Sequence, residues 1–216
     1  MPNVGFAVQG NQRDLEANYA RSDFDRPHRL STSFIYELPG FVRGFRVSGF
    51  LQMQSGLPYS IYAAEPEVST ASQYTNLVRG SGGLYRLAFG RPSLCGTLDQ
   101  LRQAGSDPTE AAFNASVLCS SSSAAGGYPA NQGFGNLGRN VLRGFWQRRL
   151  DLSLARIFKF RGASSVEARW DIFNVLNTVN YALPENVIGE PGTDFGKITN
   201  GVGGPRVMQF GLKFRY

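Results

Sequence analysis

Five stretches of this chain, each about ten residues long, alternate apolar and polar side chains with a period of two. No other feature limits the fold as tightly. Segment A covers 28–38, with Leu30, Thr32, Phe34, Tyr36 and Leu38 on one face and Arg29, Ser31, Ser33, Ile35 and Glu37 on the other. Segment B covers 45–55 and sets Phe45, Val47, Gly49, Leu51 and Met53 against Arg46, Ser48, Phe50, Gln52 and Gln54. Segment C covers 149–160, with Leu150, Leu152, Leu154, Phe158 and Phe160 opposed to Arg149, Asp151, Ser153 and Lys159, and with Arg156 interrupting the apolar face. Segment D, 164–174, opposes Val166, Ala168, Trp170 and Ile172 to Ser165, Glu167, Arg169 and Asp171. Segment E, 206–216, opposes Met208, Phe210, Leu212, Phe214 and Tyr216 to Gln209, Lys213 and Arg215.

A half-buried strand of a soluble sandwich alternates in the same way. Two details point elsewhere. Soluble strands usually run five or six residues. Ten residues at about 3.3 Å each, tilted about 40–45°, climb about 25 Å, the height of an outer-membrane apolar band. The connections also alternate, short between A and B and between C and D, long over 56–146 and 175–205. Transmembrane barrels have tight turns on one side and long loops on the other. The expected fold is therefore all-β: an open, curved antiparallel sheet of about five long strands, with A and E as its edges and the polar faces on the concave side. It would be part of a transmembrane β-barrel. Parity fixes the turns: the apolar positions are even in A and odd in B, so the A–B turn has an even number of residues. They are even in both C and D, so that turn is odd, and Phe160-Arg161-Gly162 suits it.

Composition removes other classes. The chain has 216 residues with 22 basic and 16 acidic side chains, a net charge of +6, but only three lysines: Lys159, Lys197 and Lys213. No cluster of five basic residues occurs, so a nucleic-acid partner is not expected. Sixteen Phe and nine Tyr are too many for a disordered chain. No apolar run reaches transmembrane-helix length. One histidine and two cysteines do not make an ordinary zinc site, and no metal or cofactor is expected. The first twenty residues do not read as a signal peptide.

Catalytic signatures are weak. Gly133-Phe134-Gly135-Asn136-Leu137-Gly138 has dinucleotide-fingerprint spacing but neither the strand before it nor the helix after it, so it reads as a glycine-rich loop. His28, the only histidine, sits at a strand start and suits a polar rim. Arg149, Asp151, Glu167, Arg169 and Asp171 resemble paired catalytic carboxylates only superficially. Interleaved arginines neutralise them, and they read as a lumen charge network with ion pairs across the C–D pair. No catalytic residue is assigned, and no enzyme activity is expected.

The long loop 56–146 has its own features. Asp107-Pro108-Thr109-Glu110 has the cap, first-turn proline and third-position glutamate of a helix start, which predicts a short helix through about Leu118. Cys95 and Cys119 flank it and suit a disulfide stapling the loop, with two free thiols as the alternative.

The chain ends on Gln209-Phe210-Gly211-Leu212-Lys213-Phe214-Arg215-Tyr216. This resembles the signal by which outer-membrane barrels are recognised for insertion, with Gln209, Gly211, Phe214 and Tyr216 at its marked positions. Physically it is a last strand with a lipid face and an interfacial aromatic anchor. Together with Ser22-Asp23-Phe24-Asp25-Arg26-Pro27-His28-Arg29, Gln54-Ser55-Gly56-Leu57-Pro58-Tyr59, Gly138-Arg139-Asn140-Val141-Leu142-Arg143-Gly144, Asp151-Leu152-Ser153-Leu154 and the run from Glu167 to Asn177, it makes the chain similar to the C-terminal part of the barrel of TonB-dependent outer-membrane receptors. The likeness is to the Oar-like group, which often carries a carboxypeptidase-regulatory-like domain. It spans most of the chain except 63–131.

The resemblance implies a 22-stranded barrel with an upstream plug. This chain would then be a C-terminal barrel fragment over 1–216, with plug and signal peptide absent. It also implies energised uptake of a large nutrient, such as a metal chelate or an oligosaccharide. The implied partners are outer-membrane lipid, the barrel-assembly machinery, and TonB only through the missing plug. A passive porin-like or structural barrel is the first alternative, and a soluble β-sandwich binding module the second.

Overall fold

The computed structural model describes residues 16–63, 91–118, 136–160, 164–188 and 194–216. The chain divides into two units, one of 1–25, 57–144 and 182–200, the other of 26–56, 145–181 and 201–216.

The second unit is a five-stranded antiparallel sheet of β1 (Arg29–Glu37), β2 (Phe45–Gln54), β6 (Gln147–Lys159), β7 (Ser165–Phe173) and β9 (Val207–Arg215), in the order β1-β2-β6-β7-β9. It is open, with β1 and β9 as its edges. Registers such as Tyr36↔Val47, Val47↔Leu154, Leu154↔Trp170 and Trp170↔Phe210 carry one apolar row across all five strands. The row Ile35–Ser48–Ser153–Asp171–Gln209 crosses on the other face.

Turn parity agrees with this register. β1 and β2 pair even with odd residues, and the Leu38 N–H donates to the Phe45 carbonyl at 2.9 Å, which leaves 39–44 as an even connection. β6 and β7 pair residues of like parity. The Phe160 N–H donates to the Ser164 carbonyl at 2.9 Å, so Phe160 does not belong to the turn expected at Phe160-Arg161-Gly162. Phe160 stays in the ladder, and the turn itself lies outside the described residues. Gly49 is required by its neighbour: a Cβ there would stand 2.5 Å from the ring of Phe34, which covers Gly49 from the adjacent strand.

This sheet has no core of its own among the described residues. Every buried hydrophobic residue (Tyr59, Ile61, Leu101, Ala112, Phe113, Leu137, Leu142, Val187 and Ile198) belongs to the other unit. On the sheet, Phe34, Tyr36, Phe210, Leu212 and Phe214 are exposed. A water-soluble monomer rarely leaves so continuous an apolar face uncovered.

The first unit is built from short elements. β3 (Pro58–Tyr59) pairs antiparallel with β5 (Leu142–Arg143), and β4 (Tyr62–Ala63) pairs parallel with β8 (Val187–Ile188). One short helix, α1 (Leu98–Leu101), lies in its long loop. Its start is a capping box: the Thr97 side chain accepts from the Gln100 N–H at 3.2 Å, and Gln100 Oε1 accepts from the Thr97 N–H at 2.9 Å.

The helix expected over 107–118 does not form. Asp107 does cap a turn, accepting from the Thr109 N–H at 2.8 Å, but the turn stops after Glu110. The N–H groups of Ala112 and Asn114 donate instead to the distant carbonyls of Gly196 and Leu101. Phe113 is thereby buried edge-on against Phe195, with ring centroids 5.3 Å apart. Non-local burial overrides the local start signal. A 3-10 turn at Ala115–Val117 is all that follows.

Candidate functional site

The polar face of the sheet carries a ladder of charge. Arg149 Nε donates to Asp151 Oδ1 at 2.8 Å, and Arg169 Nε to Asp171 Oδ1 at 2.7 Å. These pairs run along a strand, between residues i and i+2 on one face, and not across the β6–β7 pair as expected. The register explains this. Asp171 lies opposite Ser153, and Arg169 opposite Ala155, so no arginine of one strand stands directly against an aspartate of the other. The cross-strand ion pairs lie toward the sheet edges, Glu167 with Arg215 at 3.4 Å and Glu37 with Arg46 at 3.8 Å.

The terminal strand continues the pattern. Gln209 stands opposite Asp171 and Gly211 opposite Arg169, both on the polar face. Phe214 stands opposite Val166 on the apolar face. Tyr216 projects fully exposed beyond the strand end.

At the other end of the strands, Asn174 closes the polar face. It adopts a left-handed backbone (φ 51°) and is buried. Its backbone N–H donates to Asp151 Oδ1 at 2.8 Å, and its side-chain amide donates to the carbonyls of Thr178 and Gly204 at 3.1 and 3.0 Å. Asn177, also left-handed at φ 50°, accepts from the Arg206 N–H at 3.1 Å. Asn-Val-Leu-Asn is thus a turn that ties the start of β9 to the end of β7. His28, just before β1, stacks on Trp146, with ring centroids 5.9 Å apart.

The loop unit contains a second cluster, to which the sequence expectations assign no role. Arg139 Nη2 donates to Asp23 Oδ2 at 2.8 Å, and the Asn140 amide donates to Asp23 Oδ1 at 2.6 Å and to the Arg21 carbonyl at 2.8 Å. Arg143 Nη2 donates to Asp25 Oδ2 at 2.5 Å. The Ser60 hydroxyl donates to Asn140 Oδ1 at 3.1 Å. Burial by itself would raise the Asp23 carboxyl. The hydrogen bonds from Asn140 and Arg139 and the Arg139 charge together outweigh it and hold the group below its usual value. Asn140 sits at φ 53° and is buried, so a left-handed, doubly anchored asparagine fixes the clasp. The signal was present in the sequence: two aspartates spaced i, i+2 and two arginines spaced i, i+4 in separate runs are what such a clasp needs.

Cys95 is disulfide-bonded. Its N–H donates to the Val117 carbonyl at 2.9 Å, and Leu94 bridges Leu118. Cys119 lies outside the described residues, as do 133–135 of the glycine-rich loop. Among the described residues, no group of three or more His, Cys, Asp and Glu side chains could hold a metal ion.

The model of a family described as an outer membrane beta barrel domain matches residues 2–209. No curated protein matches the chain, and no solved structure does.

Proposed function

The chain belongs to the outer membrane β-barrel domain family and resides in the outer membrane, and on that premise we propose that its strands form part of a TonB-dependent transporter for a large nutrient, a metal chelate or an oligosaccharide. The observation that carries the reading is the sheet's pair of unlike, uncovered faces. One is apolar and suited to lipid. The other is lined by Arg149, Asp151, Glu167, Arg169 and Asp171, which suits a water-filled lumen. Support for the finer assignment comes from the likeness of the Ser22–Arg29, Gly138–Gly144 and Glu167–Asn177 runs to TonB-dependent receptors. Asp23 and Asp25 in the first run clasp Arg139, Asn140 and Arg143 in the second, so the runs act as one unit.

In this reading the role is non-enzymatic and needs no cofactor of the barrel's own. Its partners are lipid on the apolar face, the assembly machinery at the terminal strand, and TonB by way of a plug. The experiment is uptake of a labelled chelate or oligosaccharide by intact cells, with and without a protonophore. Energised transport requires that accumulation stops when the proton-motive force collapses. Flux that persists unchanged supports a passive barrel instead.

A further inference from the structure

The apolar face of the sheet carries arginines at two places on β6, Arg148 and Arg156. On the polar face, Arg46, Arg149, Arg169 and Arg215 each lie against a carboxylate. Among the described residues, neither Arg148 nor Arg156 does. The two lie eight residues apart, about 26 Å along the strand and about 20 Å of height at the tilt usual in barrels. With long side chains reaching outward from both rows, they bracket an apolar band of about 25 Å.

Arg156 belongs to the end of the short turns. Its register partners are Phe45 on β2 and Ala168 on β7, and Leu212 of β9 completes the row. The guanidinium lies 4.5 Å from the centre of the Phe45 ring and 4.9 Å from that of Phe158. Phe158 is one row nearer the turn, so the charge leans toward the rim and out of the band. Both rings attract the cation, and a guanidinium carries five N–H donors, of which none is given to a carboxylate among the described residues. Beside it runs a shallow groove of about 530 Å³, floored by the small Ala168 and walled by Phe45, Phe158, Leu212 and the stacked Trp170–Phe210 pair.

We infer that Arg156 and the groove over Ala168 form a binding site for one glycerophospholipid, the phosphodiester on the guanidinium and an acyl chain along the groove. The charges fit: a diester phosphate carries one negative charge, and Arg156 offers one unpaired positive charge with paired donors. The geometry fits as well, because the cation sits at the rim where headgroups lie and the groove descends from it along the apolar face. Among the described residues two aromatic rings meet this charge and no carboxylate neutralises it.

The test uses the intact outer-membrane barrel that carries this chain, in a variant keeping Trp170 as its sole tryptophan, in uncharged detergent micelles. Phosphatidylglycerol with brominated acyl chains is titrated in, and quenching of Trp170 is followed. Saturable quenching is expected at low lipid fraction. Arg156→Gln is expected to raise the half-quenching fraction about tenfold, the scale of one lost charge-assisted pair. Arg156→Lys should fall between, and Arg46→Gln on the polar face should match the parent. Brominated diacylglycerol, which lacks the phosphate, should quench only as weakly as phosphatidylglycerol does with Arg156→Gln, and inorganic phosphate should not displace the lipid. Heat-modifiable gel mobility confirms that each variant is folded. An unchanged curve for Arg156→Gln, equal quenching by the diacylglycerol, or displacement by inorganic phosphate would each overturn the site.

Discussion

Arg169 Nε stands 2.7 Å from Asp171 Oδ1, two residues further along the same strand, so both charges of the ion pair lie within β7. The Arg169 side chain is 55% exposed and that of Asp171 only 16%, which makes the two partners unequal. A double-mutant cycle of Arg169→Gln and Asp171→Asn in the folded barrel should give a coupling of about 0.2–1 kcal/mol, as for solvated pairs. Asp171→Asn should be the costlier single change. Denaturant midpoints of the four proteins measure this. A coupling several times larger would mean that the polar face is closed to water.

The clasp around Asp23 has a defined pH window. Its carboxyl is held below the ordinary value, so the contribution to stability is complete above the unfolded pKa of about 4 and is lost as pH falls through the folded value. Proteolysis of the loop unit should therefore be flat from neutral pH down to about pH 5 and should accelerate only below about pH 4. Asp23→Asn should be more easily cleaved at neutral pH and should lose most of the acid-dependent step. A parent protein whose cleavage begins to rise near pH 6 would show that another group, not Asp23, governs the clasp.

Trp170 stacks on Phe210, with rings 5.5 Å apart and nearly parallel, yet its indole N–H is buried without an acceptor. An unsatisfied buried donor costs about 1–3 kcal/mol. Trp170→Phe keeps a stacked ring and removes the donor, so stability should hold or rise. Trp170→Leu, which loses the stack, should lose about 0.5–1.5 kcal/mol. Unfolding in urea on lipid vesicles separates the two. A clear loss in the Phe variant would mean that the N–H has a partner in the membrane.

Phe214 and Tyr216 give the edge strand its lipid-facing side chain and its terminal aromatic. Changing both to Ser should reduce outer-membrane insertion strongly, with the barrel accumulating unfolded. Quantified surface exposure in intact cells measures it, and normal levels would remove the terminal strand from assembly.

The sheet was legible because each side chain on a strand needs only its parity to be assigned a face. Val47, Leu154, Trp170 and Phe210 all fall on one face, as their periodicity requires. Turn parity follows from the same arithmetic. Ion-pair partners were less legible, because alternation fixes the face but not the register. Arg149 and Asp151 share a face whatever lies across from them, and the structure joins them directly. The loop unit was least legible. Asp107 starts a turn that Ala112 and Asn114 abandon for carbonyls far along the chain. The capping box at Thr97 and Gln100, by contrast, is a local pattern of Thr followed three residues later by Gln. Burial of Phe113 could not be inferred without knowing that Phe195 comes to meet it.

The central claim is that the two faces of this sheet meet different solvents, lipid on one side and water on the other. Nitroxide labels placed singly along β2 at Arg46, Val47, Ser48, Leu51 and Gln52, in the barrel within lipid bilayers, test it most directly. Labels at 47 and 51 should collide with molecular oxygen and be shielded from a water-soluble nickel chelate, and labels at 46, 48 and 52 should show the reverse. A face shielded from both reagents would mean a packed protein interior, as in a sandwich, and would contradict the account.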